Sequence, residues 1–223
     1  MTNEKTKRTL FSFGVVPFLL SSFGTPASAL IGPPLSLNDQ CVNEHYIPKV
    51  KPFHVLVKPL ADTIAKGEGD YNAVNRGYAG DTPGGIQGLT GYTFENYTIN
   101  DVMAYQRRWL YAVGRYQFIP RTLRFAVANT PDVDKYTMFT PEVQDKLFAT
   151  LLDHKRPEVG QYIRGHHNNL GWALDGLAME WASVEYRNGR GYYDHIGGNR
   201  AHITRNEAAT ALNISRDNVT RES

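Results

Sequence analysis

Apolar residues recur at helical intervals along most of this chain. Leu56, Leu60 and Ile64 are spaced by four residues, which predicts a helix that Gly67 ends, because glycine favours helix C-termini. Apolar stripes after N-terminal start signals predict four further helices, which begin at the Thr98 capping box, at Pro120, at Thr140 with Pro141, and at Asn168 or Asn169. The pattern therefore indicates a chain that is mainly helical.

Residues 70–97 interrupt this pattern. They are rich in Gly, Tyr, Asn and Thr and contain a turn signal at residues 82–85. This composition predicts a small, irregular β-hairpin region that directly follows the first helix. The predicted fold class is α+β, mainly helical, with this β-region inserted after residue 68.

The N-terminus has the pattern of a secretory signal peptide. Lys5, Lys7 and Arg8 precede an apolar run over residues 10–23, and Ala27-Ser28-Ala29 is a cleavage signal. The run is too short for a comfortable membrane span. We therefore expect a signal peptide over residues 1–29, a secreted or periplasmic protein, and no stable membrane span after cleavage.

The remaining boundaries follow from composition. Residues 30–53 are rich in Pro, Ser and Asn and are interpreted as an N-terminal arm or linker. A folded domain is expected over residues 54–205. Residues 206–223 are polar and are expected to form a frayed C-terminal tail.

Charge and cysteine content exclude several classes of protein. The net charge is +2, and removal of the leader, with three basic residues and one acidic residue, lowers it to zero. A neutral chain has no overall basic field for nucleic acid. The single cysteine, Cys41, is interpreted as a free thiol in the arm, and the histidine spacing indicates no metal site. We expect a monomer without a cofactor.

The candidate chemistry centres on Glu68, which lies between Gly67 and Gly69. Farther along the chain comes a polar and aromatic turn over residues 114–117, Gly-Arg-Tyr-Gln. A glutamate can supply a proton to a glycosidic oxygen, and a turn of this composition can hold a sugar beside it. The pair indicates a site that cleaves a polysaccharide.

These motifs resemble the phage lambda-type endolysin family of lytic transglycosylases, in the lysozyme-like superfamily. The resemblance covers roughly residues 55–204. It is carried by the order and spacing of four segments: Gly67-Glu68-Gly69, the motif at residues 112–117, Phe139-Thr140-Pro141-Glu142-Val143-Gln144-Asp145, and Glu180-Trp181-Ala182-Ser183 followed by residues 189–193.

The resemblance implies cleavage of the β-1,4 bond between N-acetylmuramic acid and N-acetylglucosamine in peptidoglycan, with Glu68 as acid and then base. It makes the glycan strands of peptidoglycan the expected partner, and it places sugar contacts at Gln117, Tyr116, Arg115, Tyr192, Tyr193 and Asn72. Several of these residues also have structural interpretations. Gln117 can cap its own turn, Tyr116 is equally suited to the core, and one of the two tyrosines at 192 and 193 is expected to be structural. Asn72 suits a turn equally well.

Three alternatives stay open. A hydrolytic lysozyme needs a second carboxylate, for which Asp70 and Asp81 are nearest, with Asp81 preferred. The T4-type pattern expects an aspartate nine residues after the glutamate, where this chain has Gly77, so the transglycosylase is favoured. The others are an inactive peptidoglycan-binding protein and a hydrolase of another polysaccharide such as chitin. Arg107 and Arg108 are either a solvated face or a contact to anionic peptide stems.

Overall fold

The computed structural model describes residues 50–196 and 199–222. The predicted signal peptide, Cys41 and nearly all of the predicted arm lie outside the described residues. Within these ranges the chain is mainly helical, as predicted, with two small antiparallel strand pairs. Its helices are α1 (Phe53–Leu56), α2 (Lys58–Glu68), α3 (Gly85–Thr90), α4 (Ile99–Gln106), α5 (Pro120–Asn129), α6 (Pro141–Thr150), α7 (Pro157–Ile163), α8 (Leu170–Glu180) and α9 (Arg205–Glu222). A π-helical turn, Leu151–Lys155, continues α6. No helix in the described part of the chain combines the length and apolarity needed to cross a bilayer.

The predicted helix starts are confirmed. Thr98 and Asp101 form a capping box at the start of α4, and the Thr140 side chain accepts a hydrogen bond from the Val143 N–H at the start of α6. Asn169 caps α8 in the same way through the Trp172 N–H. These caps satisfy backbone donors that the first turn of a helix leaves without partners.

The predicted frayed tail is wrong. Residues 205–222 form α9, which packs against α2 and buries Ala208, Ala211 and Leu212. The Leu60 N–H on α2 donates to the Ser215 side chain of α9 at 3.3 Å. The apolar positions of α9 are few and small, so the helix looks polar in sequence, although its buried stripe covers the helix that carries Glu68.

Leu212→Ala should lower the free energy of unfolding by about 3 kcal/mol, because Leu212 is fully buried and its truncation leaves a cavity. Ile214→Ala is the matched control, since Ile214 lies two residues away on α9 and is 45% exposed. Urea unfolding followed by circular dichroism measures both. Equal small effects in the two variants would contradict the packing of α9.

The predicted β-hairpin region is confirmed only in part. Strand β1 (Val74–Asn75) pairs antiparallel with β2 (Ala112–Val113), with Val74 opposite Val113, and not with a strand inside residues 70–97. Within that region Asn75 and Asp81 form a single bridge, and α3 follows. Glycines 77, 80 and 84 adopt positive φ angles and turn the chain too often for longer strands.

The second strand pair is a hairpin after α8. Strand β3 (Glu185–Arg187) pairs antiparallel with β4 (Arg190–Gly191), and Val184 bridges to Ile203. The hairpin thus begins two residues after Ser183, a position that becomes important below.

An aromatic cluster occupies the centre of the core. Tyr116 stacks on Phe148 at 4.4 Å between ring centroids, and Phe148 contacts Trp181 at 5.0 Å. Phe118 contacts Phe139 edge-on at 6.2 Å. Aromatic pairs at these separations add to the burial energy, and here they hold the segment around residue 116 against α6 and the end of α8. The prediction that Trp181 belongs to the core is confirmed.

Candidate active site

Glu68 is the last residue of α2, and its side chain is held by Ser183. The Ser183 hydroxyl donates to Glu68 Oε1 at 2.6 Å, and the Ser183 N–H lies 3.3 Å from the same oxygen. The second carboxyl oxygen, Oε2, forms no hydrogen bond with any residue that the structure describes. One oxygen of the carboxyl group is therefore fixed and the other is available for a ligand.

Gly67 allows this contact because a Cβ atom at that position would overlap with the Ser183 side chain. Ser183 itself is buried, and its carbonyl oxygen accepts hydrogen bonds from the His202 and Ile203 N–H groups at 2.8 and 2.9 Å. The glycine before the glutamate thus has a specific role, which is to let a residue 115 positions away approach the carboxylate.

Burial raises the pKa of the Glu68 carboxyl above its usual range, since desolvation disfavours the charged form. The two hydrogen bonds from Ser183 oppose this effect, the negative charge of Asp81 adds to it, and the charge of His202 opposes it. Burial prevails, so a larger fraction of Glu68 is protonated near neutral pH than of an exposed glutamate. Such a carboxyl group can serve as a proton donor.

The turn at residues 114–117 lies beside Glu68. Gly69 has φ +147°, and a Cβ atom there would lie 2.6 Å from the Ala73 Cβ and 3.8 Å from the Gln117 Nε2. A side chain at this position would collide with Ala73, so glycine is required. The same approach brings the Gln117 amide next to the residue that follows Glu68.

The turn itself is tight. Val113 and Phe118 exchange backbone hydrogen bonds at 3.2 and 2.9 Å, and the Gln117 Nε2 donates to the Gly114 carbonyl at 3.0 Å. Gln117 has φ +49°, a left-handed conformation that is uncommon for a residue with a side chain. Strained backbone of this kind often occurs at functional sites, and Gln117 therefore remains a candidate for sugar binding while it also caps its turn.

Gln144 anchors the turn from the core. It is fully buried, its Oε1 accepts from the Arg115 N–H at 2.9 Å, and its Nε2 donates to the Tyr71 and Phe139 carbonyls at 3.0 and 3.2 Å. A Cβ at Gly114 would overlap with this amide. One side chain on α6 thus connects three backbone segments around the site.

The predicted sugar contact at Tyr116 is corrected. Tyr116 is 2% exposed, and its hydroxyl donates to Asp145 Oδ1 at 2.5 Å. Burial, together with the Asp145 carboxylate, raises the pKa of the hydroxyl well above its usual value. Its ring lies within the aromatic core, where a glycan cannot reach it.

Arg115 is likewise engaged within the protein. Its guanidinium lies 2.5 Å from the Asp62 carboxylate and 3.1 Å from the Tyr71 hydroxyl, and it stacks over the Tyr71 ring at 4.8 Å. Burial is the largest single influence on its pKa and lowers it, but the hydrogen bond to Asp62 and the interactions with Tyr116 and Tyr71 together keep the pKa above the usual value. Arg115 thus braces α2 against the turn, and its role in substrate binding stays a prediction.

Asn72 has a structural role. Its Oδ1 accepts from the Phe94 N–H at 2.9 Å, and its carbonyl accepts from the Ile86 N–H at 2.8 Å. These bonds attach α3 and the turn before α4 to the start of the β1 segment. The turn interpretation of Asn72 thus explains its contacts without a sugar.

The two candidate carboxylates differ in their surroundings. Asp81 is exposed, accepts a hydrogen bond from the Asn75 Nδ2 at 2.7 Å, and is near enough to act on the charge of Glu68. Asp70 accepts from the Asn72 N–H at 2.7 Å in a local turn. Asp81 is thus the better placed of the two.

Tyr192 and Tyr193 follow the hairpin beside Ser183. A Cβ at Gly191 would lie 3.4 Å from the Ala182 carbonyl oxygen, so this strand packs against the residue before Ser183. Tyr193 is tied by its hydroxyl to the Met179 carbonyl at 2.7 Å, whereas Tyr192 is 39% exposed. Tyr193 thus has a structural contact, whereas Tyr192, whose ring also contacts Tyr186 and Tyr193, stays a candidate for sugar stacking because it is exposed.

The sequence pattern did not identify Ser183, His202 or Gln144 as neighbours of Glu68 or of the turn at residues 114–117. Ser183 and Gln144 lie within motifs that carried the family resemblance, which was the available signal. His202 had no signal at all, because it lies far from Glu68 in the chain and only the fold brings its charge near the carboxyl group.

The described residues contain no group of three or more His, Cys, Asp or Glu side chains that could hold a metal ion. Two surface concavities lie along α9, one beside α1 and one beside α2, and Glu68 lines neither. Glu68 is thus identified by its chemistry and not by a cavity. No protein family, curated protein or solved structure matches this chain.

Proposed function

We propose that this protein is a glycosidase that cleaves the β-1,4 bond between N-acetylmuramic acid and N-acetylglucosamine in peptidoglycan, as a lytic transglycosylase. The observation that carries the proposal is Glu68, a desolvated carboxyl group with one oxygen held by Ser183 and the other available. The adjoining Gln117 amide and the exposed Tyr192 ring are groups that bind sugars.

In the first step, protonated Glu68 donates its proton from Oε2 to the glycosidic oxygen, and the bond to the anomeric carbon breaks. The carboxylate that remains is stabilised by the Ser183 hydroxyl and N–H. In the second step, Glu68 accepts the proton of the C6 hydroxyl as that oxygen attacks the anomeric carbon. The product is a 1,6-anhydro sugar, and water is not consumed.

Asp81 supports hydrolysis as a second candidate, because its charge acts on Glu68. A carboxylate across a cleft from the acid can activate water or form a glycosyl intermediate. The hydrogen bond from Asn75 would hold Asp81 in place for this role.

Mass spectrometry of the soluble muropeptides released from purified peptidoglycan separates these reactions. Ends with 1,6-anhydro-muramic acid support the transglycosylase, whereas reducing ends, one water heavier, support hydrolysis. Asp81→Ala should retain most turnover in the first case and lose it in the second, with Asp217→Ala, an exposed aspartate on α9, as the matched control. Intact peptidoglycan after long incubation would contradict both reactions and favour the alternative of an inactive peptidoglycan-binding protein.

Ser183→Ala should move the alkaline limb of the pH–activity profile to higher pH. The Ser183 hydrogen bonds lower the pKa of Glu68, so loss of the hydroxyl donor raises that pKa and keeps the acid protonated at higher pH. Initial rates on peptidoglycan across pH 4–9 measure the shift. Ser215→Ala removes another buried serine hydroxyl without contact to Glu68 and should leave the limb in place.

A further inference from the structure

Charge is strongly segregated along the middle of this chain. Residues 102–131 contain five arginines, Arg107, Arg108, Arg115, Arg121 and Arg124, and no aspartate or glutamate. The whole chain carries a net charge of only +2, so this stretch is a local concentration of positive charge. A local patch of positive charge on a nearly neutral chain indicates a contact with an anionic partner at that patch. It does not indicate a general attraction to polyanions, which needs a high net charge.

Four of these arginines are exposed, two at the end of α4 and two on α5. Arg107 and Arg108 directly follow α4, and Arg121 and Arg124 lie three residues apart on the outer face of α5. The end of α4 contacts the segment that leads into α5, because the Gln106 Nε2 donates to the Phe118 carbonyl, two residues before α5, at 2.8 Å. We call these four residues the basic patch.

The basic patch has no internal counter-charge. Arg115 pairs with Asp62 and Asp145, but no arginine of the patch forms an ion pair with a carboxylate in the part of the chain that the structure describes. The preceding acidic residue, Asp101, is engaged in the cap of α4. Four exposed guanidinium groups are thus free for an external anion, which they can bind in bidentate fashion.

Aromatic side chains accompany the patch and connect it with the candidate site. Trp109 is 37% exposed and Tyr111 is 51% exposed, and both follow the two arginines at the end of α4. The Tyr111 N–H donates to the Asn75 carbonyl at 2.8 Å, next to the segment that leads to Asp81. In the chain, the turn at residues 114–117 lies between the two pairs of arginines.

We propose that the basic patch, with Trp109, is a docking surface for the carboxylate-bearing peptide stems of the glycan strand whose bond is cleaved at Glu68. The proposal rests on the function proposed above and names the feature of peptidoglycan that this surface recognises. Guanidinium groups pair with the stem carboxylates, and the indole packs on a sugar ring. An uncharged glycan such as chitin lacks the carboxylates and gains nothing from the four arginines.

Binding to purified sacculi by Glu68→Gln tests this surface without cleavage. The double variants Arg107→Ala/Arg108→Ala and Arg121→Ala/Arg124→Ala are compared with Lys135→Ala/Arg221→Ala, which removes two exposed cations elsewhere. Each patch variant should weaken binding roughly threefold to tenfold at low salt, from the typical energies of exposed charge pairs. The control should bind as tightly as the parent. Circular dichroism verifies that each variant is folded.

Sacculi whose carboxyl groups have been converted to amides provide the second arm. The parent should bind amidated sacculi more weakly than native sacculi. The patch variants should show no further loss of affinity on amidation. Equal binding of native and amidated sacculi, or patch variants that bind like the control, would overturn the proposal. So would stronger competition by a DNA duplex or by vesicles of anionic phospholipid than by soluble peptidoglycan fragments.

The two proposals fail separately. Patch-dependent binding together with intact sacculi after incubation with the wild-type chain would support the docking surface and contradict the proposed enzyme activity. Muropeptide release, together with an affinity for sacculi that is unchanged in the patch variants, would support the enzyme activity and contradict the docking surface.

Discussion

Replacement of Glu68 by glutamine is expected to abolish release of muropeptides, with a fall in turnover of about a thousandfold or more. Glutamine keeps the shape of the side chain and an oxygen that accepts from Ser183, but it cannot donate a proton to a glycosidic oxygen. The measurement is the initial rate of muropeptide release from purified peptidoglycan. Glu95→Gln is the matched control, because Glu95 is an exposed glutamate in the turn before α4.

Stability measurements on the same variant separate loss of chemistry from loss of fold. Burial raises the pKa of Glu68 in the folded chain, so its contribution to stability is present below the unfolded pKa and is lost as the pH rises through the folded pKa. Glu68→Gln should therefore be more stable than the wild type near pH 7, and the two should converge near pH 4. An active Glu68→Gln chain, or one that is unfolded at pH 7, contradicts the assignment.

Gln144→Leu should lower the free energy of unfolding by roughly 4 kcal/mol. Leucine fills a similar volume but leaves the Arg115 N–H and the Tyr71 and Phe139 carbonyls without their partner in the core. Each buried polar group that loses its hydrogen bond costs about 1–3 kcal/mol. Urea unfolding at pH 7 measures the loss.

Gln161→Leu is the control for this change, because Gln161 is exposed on α7 and its substitution should shift stability by no more than about 0.5 kcal/mol. Gln144→Leu should also lower turnover, since the turn that carries Gln117 loses its anchor beside Glu68. A wild-type unfolding midpoint in Gln144→Leu would show that water or neighbouring groups replace the amide.

Local signals predicted the local structure well. The caps at Thr98, Thr140 and Asn169 and the proline at the start of α5 lie where the sequence indicated, because each is decided by residues within one helical turn. The position of Glu68 at the end of α2 follows from the adjacent glycines in the same way.

Interpretations that depended on distant contacts were less secure. Arg115 and Tyr116 have the composition of a sugar-binding turn, yet Asp62 and Asp145, from two other helices, hold them as a brace. The polarity of residues 205–222 suggested a tail, but a narrow stripe of small apolar residues is enough for α9 to pack on α2. The sequence of one segment does not show which other segment of the chain packs against it.

The sequence by itself determined the mainly helical architecture and the helix starts, since these depend on periodicity and on adjacent residues. It also singled out Glu68 as the candidate acid, which stays a prediction. Only the tertiary structure decided that Ser183 holds one oxygen of Glu68, that Gln144 joins three segments around the turn, and that the end of α4 contacts the segment leading into α5. Hydrogen bonds and burial between residues far apart in sequence depend on how the helices pack. The desolvation that raises the pKa of Glu68 is a property of that packing and of no single segment.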